Sequence, residues 1–191
     1  MGLRNINTFA MVIASLLISG CDGGGNSGGG GAGGINCAAI SGGGTQATQS
    51  VQCTGGACSG SNKDAAIDNN LGSFATLHLE PNAAGTVRLR ATAQDGVVYP
   101  AGTPATVVYG IARSAGNSLN TAETISTYLD GVLQETGNAS STNGSTSGSK
   151  PAGRRGIGTV LQFDAIELIY AQSGGTATVD IQVYEFCTSF N

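Results

Sequence analysis

The amino-acid sequence predicts an all-β domain, a jelly-roll β-sandwich of about eight antiparallel strands. Three observations support this prediction. Glycine accounts for 32 of 191 residues and only 10% of residues are charged, a composition typical of short strands joined by many turns. Apolar and polar residues alternate along several segments after Cys58, which is the period of a half-buried strand. No window shows the 3.6-residue period of an amphipathic helix.

Turn dipeptides divide this part of the chain into strands. Asp95-Gly96 and Asp130-Gly131 each lie between β-forming residues, which is the strongest short-range pattern for a two-residue hairpin turn. Around the second turn, residues 124–129 are predicted to pair with residues 132–135.

Further strands are predicted over residues 86–91, 165–171 and 177–186, and Ser173-Gly174-Gly175 separates the last two. The first of them turns its apolar residues to one face and its two arginines to the other. Between Gly137 and Gly153, Ser, Thr, Asn and Gly follow one another without periodicity, so we expect a long exposed loop there.

The first 20 residues have the features of a bacterial export signal. Arg4 supplies a positive charge, and residues 9–18 form an apolar run of about ten residues, too short to span a bilayer. Ile18-Ser19-Gly20-Cys21 then resembles a lipobox, in which the cysteine is diacylated and becomes the new N-terminus. We therefore expect a lipid on Cys21; an ordinary signal peptide followed by a chance cysteine is the alternative.

Residues 22–34 consist almost entirely of glycine with a few small polar residues, a composition that cannot bury apolar surface. As a random coil this segment spans roughly 20 Å. We therefore expect a signal peptide over residues 1–20, a lipidated cysteine and flexible linker over 21–36, and the folded domain over 37–191. The expected location is the outer membrane or cell surface. Asp22 resembles the inner-membrane retention signal of enterobacteria, which leaves that membrane open.

Four cysteines remain if Cys21 is acylated, and an even number in an exported chain indicates two disulfides with three possible connectivities. Cys53 and Cys58 are close in sequence with glycines between them, so we pair these two. Cys37 and Cys187 then join the ends of the domain. Zinc binding by these cysteines is disfavoured by their spacing and because the chain has a single histidine.

The charge and motif content argue against two function classes. The formal net charge is −4 and the only adjacent arginines are Arg154-Arg155, whereas nucleic-acid binding needs clustered cations. The chain contains no HExxH and no phosphate-binding glycine loop leading into a helix. We expect neither a nucleic-acid partner nor an enzyme.

Three segments in order resemble discoidin-type domains, also called coagulation-factor type C or galactose-binding-like domains. Residues 62–77 resemble the opening loop, which in the family carries an Ala-x-Asp-Gly-Asn-x-x-Thr-x-Trp pattern. Residues 124–135 and 163–186 resemble later segments of such modules in bacterial surface proteins. The resemblance covers roughly residues 53–187 and implies a β-sandwich that binds glycans or other surface molecules through loops at one end.

The resemblance also implies a structural calcium ion in the opening loop. Carried over residue by residue, Asp68 takes the aspartate position, Asn70 the following amide position, Ser73 the threonine position and Glu185 the closing carboxylate, with backbone carbonyls near Ala65 as further ligands. Calcium prefers six to eight oxygen ligands of these kinds. The chain departs from the family pattern by Asn69 in place of glycine, Ser73 in place of threonine and Ala75 in place of tryptophan.

Glu185 has a second argument in its favour. Simple alternation along residues 179–185 places it on the inward face with Val179, Ile181 and Val183, where a carboxylate is costly unless it is paired or binds a metal. Turn chemistry at Asp68 and a solvated strand end at Glu185 are the alternatives to calcium.

Two function classes follow. The first is a membrane-anchored binding or adhesion module that recognises a glycan or another surface protein. The second is a structural or assembly lipoprotein of the envelope with no small ligand.

Overall fold

Antiparallel strands form nearly all the regular structure of the chain. The structure, a computed structural model, describes residues 37–40, 44–138, 140–142 and 153–190. Within these ranges there are fourteen strands, one 3₁₀ turn (Lys63–Ala66) and no α-helix. The strands are β1 (Cys37–Ala39), β2 (Gln46–Thr54), β3 (Cys58–Ser61), β4 (Ala75–Leu79), β5 (Ala84–Thr92), β6 (Pro104–Arg113), β7 (Ser118–Leu119), β8 (Ala122–Leu129), β9 (Val132–Asn138), β10 (Ser140–Thr142), β11 (Gly153–Gly158), β12 (Ala165–Gln172), β13 (Gly174–Gly175) and β14 (Val179–Phe190).

Two large sheets contain twelve of these strands. The first has the order β10-β11-β6-β14-β4-β3, with β1 pairing with the end of β14, and the second has the order β2-β5-β12-β8-β9. β7 and β13 pair separately. Strands outnumber the predicted eight because five of them have only two to four residues, too few to show alternation in the sequence.

One core lies between the two sheets. It brings together Leu77 and Ile181 from the first sheet with Leu89, Ile125 and Leu168 from the second, all fully buried. Burying a side chain of this size contributes roughly 1.5–3 kcal/mol. The predicted antiparallel β-sandwich is therefore confirmed.

The two Asp-Gly turns have different outcomes. Asp130-Gly131 joins β8 to β9 with positive φ at both residues (51° and 77°), so the predicted hairpin is confirmed. Asp95-Gly96 has the same backbone form, with φ of 60° and 71°, but the predicted hairpin is wrong. β5 already has β2 and β12 on its two sides, so the chain after the turn cannot pair with it.

The predicted loop between Gly137 and Gly153 is wrong at its N-terminal end. β9 continues to Asn138, β10 follows directly, and β11 begins at Gly153. Residue 139 and residues 143–152 lie outside the described residues, as do the predicted export signal, Cys21 and the glycine-rich linker. Within the described ranges, no helix has the length and apolar character needed to cross a membrane.

Both predicted disulfides are present. Cys53 is bonded to Cys58, and Cys37 is bonded to Cys187. The second bond fixes β1 against β14, two residues beyond Glu185, and joins a small core cluster that includes Val108 and Tyr184. The end of β14 that carries Glu185 is thus held in place covalently.

Candidate calcium site

The loop predicted to bind calcium lies between β3 and β4, beside β14. β4 begins at Ala75, which pairs with Val183. β14 therefore continues past the start of β4, and its next residues pass the loop. The loop begins with the 3₁₀ turn and is closed by Asn62, whose Nδ2 donates to the carbonyl oxygen of Phe74 at 3.1 Å.

Asp68 organises the exposed part of the loop. Its Oδ1 accepts a hydrogen bond from the backbone N–H of Asn70 at 3.0 Å, and its Oδ2 accepts one from the Ser73 hydroxyl at 2.6 Å. The Asn70 side-chain oxygen accepts from the backbone N–H of Gly72 at 2.9 Å. Asp68, Asn70 and Ser73, which the sequence assigns to one site, are therefore in direct contact.

Asn69 stands at the position where the discoidin-type pattern has glycine. Its φ of 56° lies in the left-handed region, which L-residues other than asparagine, aspartate and glycine enter only at a cost. Asparagine therefore tolerates a backbone conformation here that glycine also allows.

Glu185 reaches the loop through an irregularity in β14. The register with β6 shifts between Val183 and Glu185, so that Glu185 pairs with Val108 instead of continuing the earlier alternation. Val108 packs in the small cluster with Leu71 and Phe74 of the loop. The prediction that Glu185 shares the face of Val183 is wrong, because the bulge turns it away from the main core and toward the loop.

The Glu185 carboxylate is buried without a normal hydrogen bond. The residue is 1% exposed, and neither carboxylate oxygen has a partner of ordinary geometry. The pKa of Glu185 is raised from 4.5 to about 8, mainly by burial; backbone N–H groups of Phe186, Asn69 and Asn70 oppose the shift, and the nearby charge of Asp68 contributes to it. Asp68, Asn69 and Asn70 all belong to the loop and all act on the Glu185 carboxylate, so this carboxylate lies beside the loop.

The residues present fit a calcium ion. A buried carboxylate without a partner carries a large cost, and a second carboxylate beside it adds repulsion unless a cation or a proton intervenes. The surrounding donors are oxygens of an aspartate, an amide, a hydroxyl and backbone carbonyls, which are hard ligands suited to Ca²⁺. Across the described ranges, no group of three or more His, Cys, Asp or Glu side chains is placed to bind a metal.

Ala65, predicted to contribute a backbone oxygen, lies in the 3₁₀ turn three residues before Asp68 and is buried. Its N–H donates to the carbonyl of Asn62 at 3.0 Å, which holds the turn against the start of the loop. This hydrogen bond stabilises the 3₁₀ turn that precedes Asp68.

His78 lies on the outer side of the first sheet, between the buried Leu77 and Leu79. Its Nδ1 contacts Asp180 at 2.5 Å and its Nε2 contacts Glu80 at 3.1 Å. Asp180 raises the pKa of His78, burial lowers it, and Glu80 adds to the increase. Both ring nitrogens are thus occupied by carboxylates.

A second polar cluster escaped sequence reasoning. Arg88 and Arg90 share a strand face, as the alternation predicts, and both contact Glu167, which also accepts the Tyr128 hydroxyl. These residues lie on three different strands, so only the strand order brings them together. The apolar–polar alternation of β12, with a glutamate between Ile166 and Leu168, is the one sequence signal of an outward carboxylate.

A scan against protein-family models finds no match, and a search of curated protein sequences finds none either. Among solved structures, the chain is similar to a mutant of the carbohydrate-binding module CBM29-2, with 14% identity, a TM-score of 0.37 and coverage of 81% of this chain and 88% of that one. It is also similar to CBM32-3 from a family 31 glycoside hydrolase of Clostridium perfringens, with 16% identity, a TM-score of 0.37 and coverage of 73% and 89%. At these identities and TM-scores, neither structure assigns a ligand to this chain.

Proposed function

We propose that this chain is a calcium-stabilised binding module, held at a bacterial outer membrane or cell surface by a lipid on Cys21, that recognises a glycan. The observation that carries the proposal is Glu185, a buried carboxylate without a hydrogen bond of ordinary geometry that faces the Asp68 loop. A bound Ca²⁺ neutralises this pair of carboxylates and joins the loop to β14.

The contacts of the single histidine disfavour serine–histidine catalysis. A histidine that activates a serine needs one free ring nitrogen and one oriented by a carboxylate. In His78 both nitrogens contact carboxylates. The chain has no second histidine that can take that role.

A direct test is thermal unfolding of the purified protein with calcium and with chelator. We expect calcium to raise the melting temperature and Asp68→Ala to abolish the increase. Asp64→Ala is the matched control, because Asp64 lies in the adjacent turn with its side chain 74% exposed and bound to Lys63. An unchanged melting curve in calcium and chelator removes the metal from the proposal.

The glycan half needs its own experiment. Probing a glycan array with the purified protein in calcium is expected to give binding to a defined class of oligosaccharide. If calcium stabilises the protein but no glycan on the array is bound, glycan recognition is refuted and calcium binding is not.

A protein partner is the second candidate, and one observation favours it. Val160 and Val132 are 76% and 64% exposed, and Leu133 and Leu161 are also exposed. Glu135 holds the two segments together by accepting the backbone N–H groups of Val160 and Leu161 at 3.0–3.1 Å. Clustered exposed apolar side chains are typical of interaction sites, and an assembly lipoprotein is the function class that uses them.

A further inference from the structure

The outer face of the five-stranded sheet carries an ordered pair of guanidinium groups. Arg90 donates from Nε to Oε1 of Glu167 at 3.3 Å, with Nη2 at the same distance. Tyr128 donates its hydroxyl to Oε2 of Glu167 at 2.7 Å, and Arg88 approaches that oxygen through Nη1 at 3.6 Å. We call these four residues the guanidinium patch.

The patch is built around a carboxylate that solvent hardly reaches. Glu167 is 5% exposed, and Arg90, which contacts it, lies over the Tyr128 ring with 3.6 Å between its Cζ and the ring centroid. A guanidinium fixed by a buried carboxylate and an aromatic ring has already lost much of its rotamer freedom, so it loses less on binding.

Arg88 retains donors for a ligand. Its side chain is 44% exposed, and its contact with Glu167 uses one of the five N–H donors of a guanidinium. The planar fork of these donors matches a carboxylate or a sulfate through two parallel hydrogen bonds.

The rest of this face is neutral. Among the described residues that strand alternation places on it, only Arg88, Arg90 and Glu167 are charged, so two cations and one anion leave a charge of +1. The whole chain carries −4. This face therefore attracts an anionic ligand that the rest of the surface repels.

The neighbours of the patch suit a sugar. Ser50 and Ile169 pair with Arg88 on its two sides, and the exposed Leu133 pairs with Tyr128. Hydroxyls can bond to sugar hydroxyls, while the aliphatic side chains can contact the C–H face of a sugar ring. Five strands spaced about 4.8 Å apart give a surface wide enough for several sugar units.

We propose that the guanidinium patch on the outer sheet face binds an anionic glycan, with Arg88 gripping a uronate carboxylate or a sulfate ester. This inference rests on the proposed function and names the ligand class of its glycan. It places the ligand on the sheet face and not on the loops at the end of the sandwich.

The test is a set of titrations of the purified protein at constant free Ca²⁺, using oligogalacturonate, sulfated carrageenan oligosaccharide and a neutral glucan oligosaccharide of equal length. We expect binding to at least one anionic glycan and not to the glucan, weaker at high salt because screening shortens the Debye length. Arg88→Gln should weaken it about 10- to 100-fold, as expected for a charge-assisted hydrogen-bonded contact, and Arg88→Lys should weaken it less. The two anionic arms distinguish carboxylate from sulfate.

Arg113→Gln is the matched control, since it removes the same charge from an exposed residue of the other sheet. Equal losses in Arg88→Gln and Arg113→Gln mean non-specific attraction and overturn the inference. If the protein binds the neutral glucan and Arg88→Gln leaves that binding unchanged, the inference is also overturned, while the proposed glycan recognition stands. If correctly folded protein, as judged by its melting temperature, binds none of the three glycans, the result counts against both the inference and the proposed glycan recognition.

Discussion

The substitution Glu185→Gln keeps the size and shape of the side chain but removes its titrating proton. Glu185 is buried beside Asp68 without a hydrogen bond of ordinary geometry, so in the absence of calcium its neutral form is favoured up to about pH 8. In the unfolded chain the same group titrates near 4.5. Between these two values the folded protein holds a proton that the unfolded chain has released.

The sign and size of the effect follow by linkage. Because the folded pKa is raised, the stability that the protonated carboxyl contributes is complete below pH 4.5 and is lost as the pH rises toward 8. The free energy of unfolding should fall by up to 1.36 kcal/mol per pH unit, which is at most about 5 kcal/mol over the whole interval. Glu185→Gln should lack this slope.

Calcium should change the pH dependence of the unfolding free energy of the wild type. The ion binds the deprotonated carboxylate, so it competes with the proton and stabilises the wild type more at pH 8 than at pH 6. At a hundred times the dissociation constant, the gain is about 2.7 kcal/mol. The glutamine variant should gain little.

The assay is urea unfolding of both proteins from pH 5 to pH 8, with chelator and with calcium. The difference between wild type and variant at each pH isolates Glu185 from other titrating groups and from any constant cost of the buried amide. A difference that does not change with pH in chelator would show that Glu185 is not buried as a carboxyl. Equal calcium gains in both proteins would show that it is not a calcium ligand.

Three further predictions concern stability. Replacing Cys37 and Cys187 by alanine should cost about 5 kcal/mol against about 2 kcal/mol for the other disulfide, because the loops they close span 150 and 5 residues; equal losses in denaturant unfolding would contradict this. His78→Gln should remove a stabilisation that Asp180 provides to the protonated ring, which is complete below pH 6.5 and is lost as the pH rises through the raised folded pKa; a variant whose unfolding free energy keeps the wild-type pH profile would refute it. Asn69→Ala should lower stability by about 1 kcal/mol and Asn69→Gly should not, because the backbone there has a positive φ; equal melting temperatures for the two variants would contradict the assignment.

Local patterns predicted those parts of the fold that depend on neighbours in sequence. The Asp130-Gly131 hairpin follows from turn chemistry, and both disulfides follow from the spacing of the cysteines. Asp95-Gly96 shows the limit of such reasoning. Its backbone makes the turn, but β5 is already paired on both sides, and strand order is not a local property.

The candidate site shows the same division. Asp68 and Ser73 belong to one loop, so their contact could be predicted from the resemblance. Glu185 is buried near the loop, but the alternation argument for its orientation is wrong, because a bulge between Val183 and Glu185 cannot be read from alternation. The contact of Arg90 with Glu167 joins residues 77 positions apart and depends entirely on which strands are adjacent.

A crystal structure of the protein grown with calcium tests the central claim most directly. The account predicts an ion with carboxylate oxygens of both Asp68 and Glu185 at about 2.3–2.6 Å, identified by its anomalous signal. An ordered loop with Asp68 and Glu185 side by side and no ion between them, at calcium concentrations well above physiological, would contradict it.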